Sequence, residues 1–207
     1  MSIEAGLTIV GQQFVAVGGS TNKIDNLRPG EDFDPWGSDF VQKCDGADYE
    51  TYSFYGADAG GVGPNGEAGW GDDNQTAVDV DIPNGEAFWV NSSADTTITM
   101  SGEVPVNRTV SISAGLSLIC NPRPVDTDIQ KIVPDDNFDP WGSDFIQVWN
   151  GSDYVTYSYY GADAGGVGPN GEAGWGDDNQ TAVQWTIPAG TGFWVNASAD
   201  SVLTFND

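Results

Sequence analysis

Apolar side chains follow one another along this chain in short alternating bursts, separated by clusters of Gly, Pro, Asn and Asp. Alternation with a period of two puts apolar groups on one face of a strand, and the clusters between bursts are turn formers. This pattern predicts strands over residues 7–10, 40–44, 49–55, 77–82, 87–91 and 96–100, with partners in the second half of the chain. The runs YETYSFY at 49–55 and YVTYSYY at 154–160 are rich in aromatic and Thr side chains, which suit a pleated, half-buried surface. Phe88-Trp89-Val90 and Phe193-Trp194-Val195 each follow a turn-forming tetrapeptide, Ile-Pro-Asn-Gly or Ile-Pro-Ala-Gly. Helical spacing is confined to 22–27 and 127–132, where Ile24 and Leu27, and Ile129 and Ile132, stand three apart. One turn is expected at each. Phe40, Tyr52, Phe88 and Val90 are expected at core or sheet sites, and Phe145, Tyr157, Phe193 and Val195 at matching ones. Trp89 and Trp194, being strand residues, are assigned to the core.

The halves match because the chain is a tandem duplication. FDPWGSDF stands at 33–40 and again at 138–145, an offset of 105, whereas Ala5-Gly6-Leu7 matches Ala114-Gly115-Leu116 at an offset of 109. Copy one therefore holds four extra residues between these anchors, in the 11–21 loop. GADAGGVGPNGEAGWGDDNQTAV recurs at 56–78 and 161–183 with all 23 positions unchanged, while the following stretches, 79–100 and 184–205, agree at 11 of 22. Loops normally vary more than the elements they join. Here the loop is the constant part, from a recent duplication or from the same job in both copies. The organisation expected is a domain at 1–102, a linker at 103–109 and a domain at 110–207. Each has about 100 residues, enough to bury its own core. Short strands and Gly/Pro turns at this size predict an all-β fold of two tandem homologous antiparallel β-sandwich, or small barrel, domains.

Three stretches of copy two carry a resemblance. AGLSLICNP at 114–122, IQVWNGSDY at 146–154 and IPAGTGFWV at 187–195 resemble a bacterial extracellular or cell-surface β-module of the "GWNLVGNP…VWDG…IAPGQGFWV" type. The similarity spans most of each copy through short structural motifs. Copy one departs from it, with Val10-Gly11-Gln12-Gln13 in place of the Asn-Pro element and Cys44 in place of Trp149. The 56–76 loop lies outside the pattern. The resemblance implies a β-fold and a surface context, and it implies no chemistry.

Charge narrows the partners. The chain has 31 acidic and 6 basic side chains, a formal net charge of −25. Binding a duplex needs Lys and Arg against phosphates, so nucleic acid is disfavoured, and an anionic membrane surface for the same reason. There is no His, which removes Ser-His-Asp and Cys-His catalysis and His-ligated metals. No run of about 18 apolar residues is present to insert in a membrane. Residues 1–19 lack the regions of an intact signal peptide, so the expectation is a cytoplasmic chain or a mature form. Sequons at Asn74, Asn91, Asn107, Asn150, Asn179 and Asn196 are weak evidence of secretion in a chain this rich in Asn, Ser and Thr.

The constant loop offers oxygen ligands at Asp58, Glu67, Asp72, Asp73 and Asn74, and again at Asp163, Glu172, Asp177, Asp178 and Asn179. Calcium takes roughly 6–8 oxygens, and a backbone rich in Gly, with Pro64, exposes carbonyls. These ten are the candidate metal ligands and Ca2+ the candidate cofactor, although the spacing is not that of an EF-hand. A solvated acidic loop is the plainer reading. Asp34, Asp39, Asp139 and Asp144 rank second as ligands, since Asp before Pro is ordinary turn chemistry. Trp36, Trp70, Trp141 and Trp175 sit in or beside Gly-rich segments, where rings either stack on sugars or pin the loop to the core. Cys44 and Cys120 stand at non-equivalent positions, matched by Trp149 and Gly11. They are either buried thiols or a disulfide between copies or subunits. Carboxylate pairs carry no weight for glycoside hydrolysis among 31 acids, and no organic cofactor is expected.

The function expected is that of a non-enzymatic extracellular or cell-surface structural protein that self-associates head to tail into a filament or layer. The alternative is a carbohydrate-binding or adhesive module with calcium-shaped loops and a polysaccharide partner. The head-to-tail expectation takes the join between the copies as its template. A contact of that heterologous kind repeats into an open filament.

Overall fold

The computed structural model describes residues 1–207 apart from 20, 45, 47, 63–64, 107, 151 and 168–169. Copy one forms β1 (Ser2–Ile3), β2 (Gly6–Gly11), β3 (Asn22–Lys23), β4 (Arg28–Pro29), β5 (Trp36–Cys44), β6 (Tyr49–Tyr55), β7 (Gly69–Gly71), β8 (Asp81–Ile82), β9 (Ala87–Ser92) and β10 (Thr96–Thr99). Copy two repeats them as β11 (Thr109–Ile112), β12 (Gly115–Cys120), β13 (Thr127–Asp128), β14 (Ile132–Pro134), β15 (Trp141–Trp149), β16 (Tyr154–Tyr160), β17 (Gly174–Gly176), β18 (Thr186–Ile187), β19 (Gly192–Ala197) and β20 (Ser201–Phe205). In copy one a five-stranded sheet, β2-β9-β5-β6-β7, accompanies a three-stranded sheet, β1-β10-β4, and the pair β3-β8. Copy two has the same three sheets, and every sheet draws its strands from one half. All pairings between these strands are antiparallel. The protein is all-β, in two similar halves consistent with two β-sandwich domains.

Each half has its own core between its sheets. Val10, Val41, Phe88 and Val90 from the larger sheet meet Ile3 and Ile98 from the smaller, with Ile24, Leu27, Phe33 and Trp70 filling the space between. The single turns expected at 22–27 and 127–132 are 3-10 turns, Ile24–Asn26 and Ile129–Lys131, and they bury Ile24 and Ile129. Phe40 and Phe145 are half-buried and hold matching sheet sites in β5 and β15. Asp39 and Asp144 occupy inward positions, and the alternation of the strand carries Val41 and Ile146 inward with them. Tyr52 is buried as expected, whereas Tyr157 is half-buried. The strand expected at 77–82 shrinks to Asp81–Ile82, because Val78 and Val80 bond irregularly, to the backbone of Trp70 and Ile24. Within the expected linker, Glu103 bridges to Val15, Asn107 lies outside the described residues, and β11 begins at Thr109.

The copies meet through the outward face of one sheet edge. Ile9, Ala87, Leu118, Cys120 and Trp194 form a buried cluster, with Cys44 and Trp89 packed against it. Trp89 and Trp194 thus lie between the copies and not in the sandwich cores, since each alternates with inward neighbours such as Phe88 and Val90, or Phe193 and Val195. The backbone contacts come in matched pairs. Gly11 N–H donates to Gly190 O at 2.8 Å, and Cys120 N–H to Gly85 O at 2.8 Å. Val10 bridges Thr191, and Ile119 bridges Glu86. By the repeat offsets Gly11 corresponds to Cys120, Gly85 to Gly190, Val10 to Ile119 and Glu86 to Thr191. Each half therefore offers the same surface to the other, the signature of a closed, isologous contact. This corrects the template for head-to-tail growth: repeating a two-fold contact closes a pair and extends nothing. Both cysteines are free thiols, Cys44 half-buried and Cys120 fully buried, and burial pushes the Cys120 thiol well above its ordinary pKa.

The two sides of this contact have diverged. Copy two packs Trp149 against Tyr154, with ring centres 5.1 Å apart and the rings tilted by 60°. Copy one has Lys43 and Cys44 in the corresponding strand, and Lys43 pairs with Glu86 at 3.2 Å beside a cleft of about 680 Å³ lined also by Leu116 and Leu118 of copy two. Burial raises the Glu86 carboxyl above its ordinary range, with the Lys43 ammonium opposing it.

Candidate functional site

The repeated octapeptide builds a platform for one side chain. Pro35 and Pro140 fix the turn that enters β5 and β15, and the strand register then shifts between Trp36 and Phe40, and between Trp141 and Phe145. Gly37 and Gly142 have φ of +88° and +89°, and a Cβ on either would lie 2.7 Å from the ring of Tyr55 or Tyr160. Only glycine suits both demands. Asp39, fully buried, accepts from Asp34 N at 2.9 Å, Ser93 N at 2.8 Å and Ser92 Oγ at 3.1 Å. Asp144 accepts from Asp139 N at 2.8 Å, Ser198 N at 2.9 Å and Ser198 Oγ at 3.2 Å. These carboxylates, second-rank ligand candidates in sequence, lock the turn to the β9–β10 and β19–β20 connections instead. Asp34 accepts from the Ser38 hydroxyl and from Ser38 N and Trp36 N, and the Ser38 hydroxyl above all holds its carboxyl below the usual range. Trp36 and Trp141 project from this framework, each 68% exposed.

The other two tryptophans go inward. Trp70 and Trp175 are 1% and 0% exposed, and their indole N–H groups donate to Leu27 O at 3.0 Å and Ile132 O at 2.8 Å. Phe33 and Phe54 meet Trp70 edge-on, with ring centres 5.7 and 5.4 Å away. The sugar-stacking reading is thereby corrected for Trp70 and Trp175, which pin the constant loop to the core. Trp36 and Trp141 remain available for it.

The loop is tied down at its ends. Asp72 and Asp177 each accept at Oδ1 from two backbone N–H groups of their own turns, at 2.9 Å: Asn74 and Thr76, and Asn179 and Thr181. Those bonds, the Thr76 and Thr181 ones first, hold both carboxyls below the usual range. A group whose folded pKa is lowered stabilises above its unfolded pKa, and that contribution is lost as pH falls through the folded value. Acidification below the usual carboxylate range is therefore expected to expose the Asn74 and Thr76 amides to hydrogen exchange. Asp72→Asn, which keeps an acceptor without a titrating group, should leave their protection independent of pH.

Asp58, Glu67, Asp73 and Asn74 are exposed, as are Asp163, Glu172, Asp178 and Asn179, while Asp72 and Asp177 are half-buried. Among the described residues no three carboxylates or thiols gather where one metal ion would touch them all. Pro64 lies outside the described residues.

The two unchanged segments touch. Gly56 N–H donates to Pro35 O at 2.9 Å, and Gly161 N–H to Pro140 O at 2.9 Å. The Tyr55 hydroxyl donates to Asp72 O at 3.2 Å while its ring covers Gly37. FDPWGSDF thus touches the second unchanged segment at Gly56 and, through Tyr55, near Asp72, and its repeat does so at Gly161. These contacts are built on β5, β6 and β7, whereas the copies join along β2 and β9, at the other edge of the sheet. Sequence reasoning treated the octapeptide and the loop separately; their shared freedom from change was the signal that they belong together. No family model, curated protein or solved structure matches the chain.

Proposed function

We propose that the protein is a non-enzymatic structural protein of the cell surface or extracellular space, a two-ended adhesive connector whose equivalent tryptophan surfaces hold the same kind of partner, a polysaccharide. The observation that carries this reading is an exposed indole on an unchanged turn that touches the second unchanged segment, once in each copy and away from the contact between copies. An exposed Trp held by buried carboxylates is an apolar face kept ready for a ligand. Two such faces on one chain turn binding into cross-linking, because the second engagement becomes intramolecular or bridging. The similarity to an extracellular β-module supports the surface location.

A second reading, self-association into a filament or layer, is favoured by the closed contact between the copies. That contact leaves both tryptophan surfaces free, and equivalent ends that dock on each other build an open chain from alternating two-fold contacts. With −25 per chain such growth needs salt or calcium to screen it.

One set of variants separates the readings. Wild type should cosediment with and cross-link suspended polysaccharide; Trp36→Ala or Trp141→Ala should bind without cross-linking, and the double variant should do neither. In light scattering of the protein alone, growth with salt or calcium that stops at dimers in either single variant would favour self-association. Association unaffected by the double variant sinks both readings.

A further inference from the structure

The two sides of the contact between the copies share a backbone plan and differ in side chains. Equivalent by the repeat are Cys44 and Trp149, Tyr49 and Tyr154, Lys43 and Val148, Glu86 and Thr191, and Leu116 and Leu7. Cys44 stands opposite Tyr49 across β5 and β6, as Trp149 stands opposite Tyr154 across β15 and β16. In copy two the Trp149 indole packs on the Tyr154 ring, 5.1 Å between centres. In copy one a thiol takes the place of that indole, and the place is open. Cys44 lines the cleft of about 680 Å³ together with Lys43, Glu86, Val110, Leu116 and Leu118. Its walls come from both copies, and its volume falls in the usual range for small-molecule sites. Lys43 is held by Glu86 at 3.2 Å and donates to Asp81 O at 2.8 Å, so these polar groups satisfy one another. Beside them the cleft presents Leu116, about half exposed, and the half-buried thiol of Cys44.

We propose that this cleft binds a small, uncharged aromatic molecule, whose ring takes at Tyr49 the place that the Trp149 indole takes at Tyr154. Copy two supplies the template: a tilted aromatic pair, worth more than the area it buries. An uncharged ring also escapes the repulsion that a second chain of −25 would meet. The site is separate from the tryptophan surfaces, because Cys44 ends the strand that Trp36 begins, about 25 Å along it. Since the walls belong to different copies, a bound ring braces the contact between them and stabilises the fold by mass action.

The test uses the full chain, with indole as the probe and cyclohexanol as a ring without aromatic character. Cys120 is fully buried, so a thiol reagent applied to the folded protein reads Cys44. Indole should slow that labelling with a Kd of about 0.1–1 mM, within the bounds for a ligand of about nine non-hydrogen atoms, and should raise Tm. Cyclohexanol should need about tenfold more. Cys44→Trp supplies the ring from within the chain, so it should melt higher than wild type and show no indole binding by calorimetry. Trp149→Cys vacates the equivalent place and should bind indole at two sites. The labelling of wild type decides the matter even where a variant does not fold. Labelling and melting unchanged by indole up to about 10 mM would overturn the proposal. Equal effects of cyclohexanol would overturn the aromatic class, and undiminished binding by folded Cys44→Trp would place the ring elsewhere; either result sinks it. Protection of Cys44 that grows with protein concentration alone, and is lost when Trp36→Ala and Trp141→Ala are combined, would make the occupant a second copy and overturn it too.

Discussion

Trp175→Ala is expected to lower the stability of the protein by about 3–5 kcal/mol, the range for truncating a large buried aromatic. The side chain is fully buried, with ring centres of Phe138 and Tyr159 at 5.6 and 5.2 Å. Its removal leaves a cavity and strips the partner from the Ile132 carbonyl. Gln130 adds a clamp: its side chain donates to Trp175 O at 2.6 Å and Val183 O at 2.9 Å and accepts from Trp175 N at 3.0 Å. Domains of this kind hold about 5–15 kcal/mol in all, so a loss of that size endangers the whole of copy two. Trp175→Phe keeps most of the packing and loses the indole bond, and should cost about 1–3 kcal/mol. Trp141→Ala, at an exposed site, should stay within about 0.5 kcal/mol. Urea unfolding measures all three. A loss below about 1 kcal/mol for Trp175→Ala would mean that the indole does not anchor the loop.

The contrast between Trp141 and Trp175 marks what the sequence could and could not show. Both stand beside glycines in unchanged segments, and nothing local separates an indole that pins a loop from one that leaves it. The difference is tertiary: Gly174–Gly176 becomes β17 by pairing with Tyr159 and its neighbours, which turns Trp175 inward. Glycine is a poor strand former, so GWG does not read as a strand. The strands with clean alternation were legible, and Tyr49–Tyr55 is found as predicted. The inward phase of β5 and β15 was not, because it is set by Asp39 and Asp144, acids that a pattern of apolar residues places outside. The contact between copies was hidden for a related reason. Trp89 and Trp194 read as core in a single sandwich, and only the repeat of the backbone bonds shows that they, with Ile9 and Leu118, face a second copy.

Gly11→Val should force the copies apart and lower stability by about 1–3 kcal/mol, the usual range for overpacking a close contact. A Cβ on Gly11 would lie 2.3 Å from Cys120 Cβ and 2.6 Å from its Sγ, so the sheets cannot keep their spacing. The residue ends a strand where a β-branched side chain is otherwise at home, so the loss reports on the contact. Gly11 and Cys120 are equivalent by the repeat, one small and one larger residue facing across the approximate two-fold. Adding Cys120→Gly to Gly11→Val exchanges the two roles and should recover most of the loss. Unfolding of the single variant should broaden or split into two steps as the copies uncouple, and the 103–109 segment should become open to proteolysis. The double variant should restore one transition. No change in the single variant, or no recovery in the double, would show that the copies are not held by this contact. The outcome bears on function through geometry, because the contact sets how the two tryptophan surfaces are presented. A connector whose halves swing freely should bind at both ends and yet cross-link poorly.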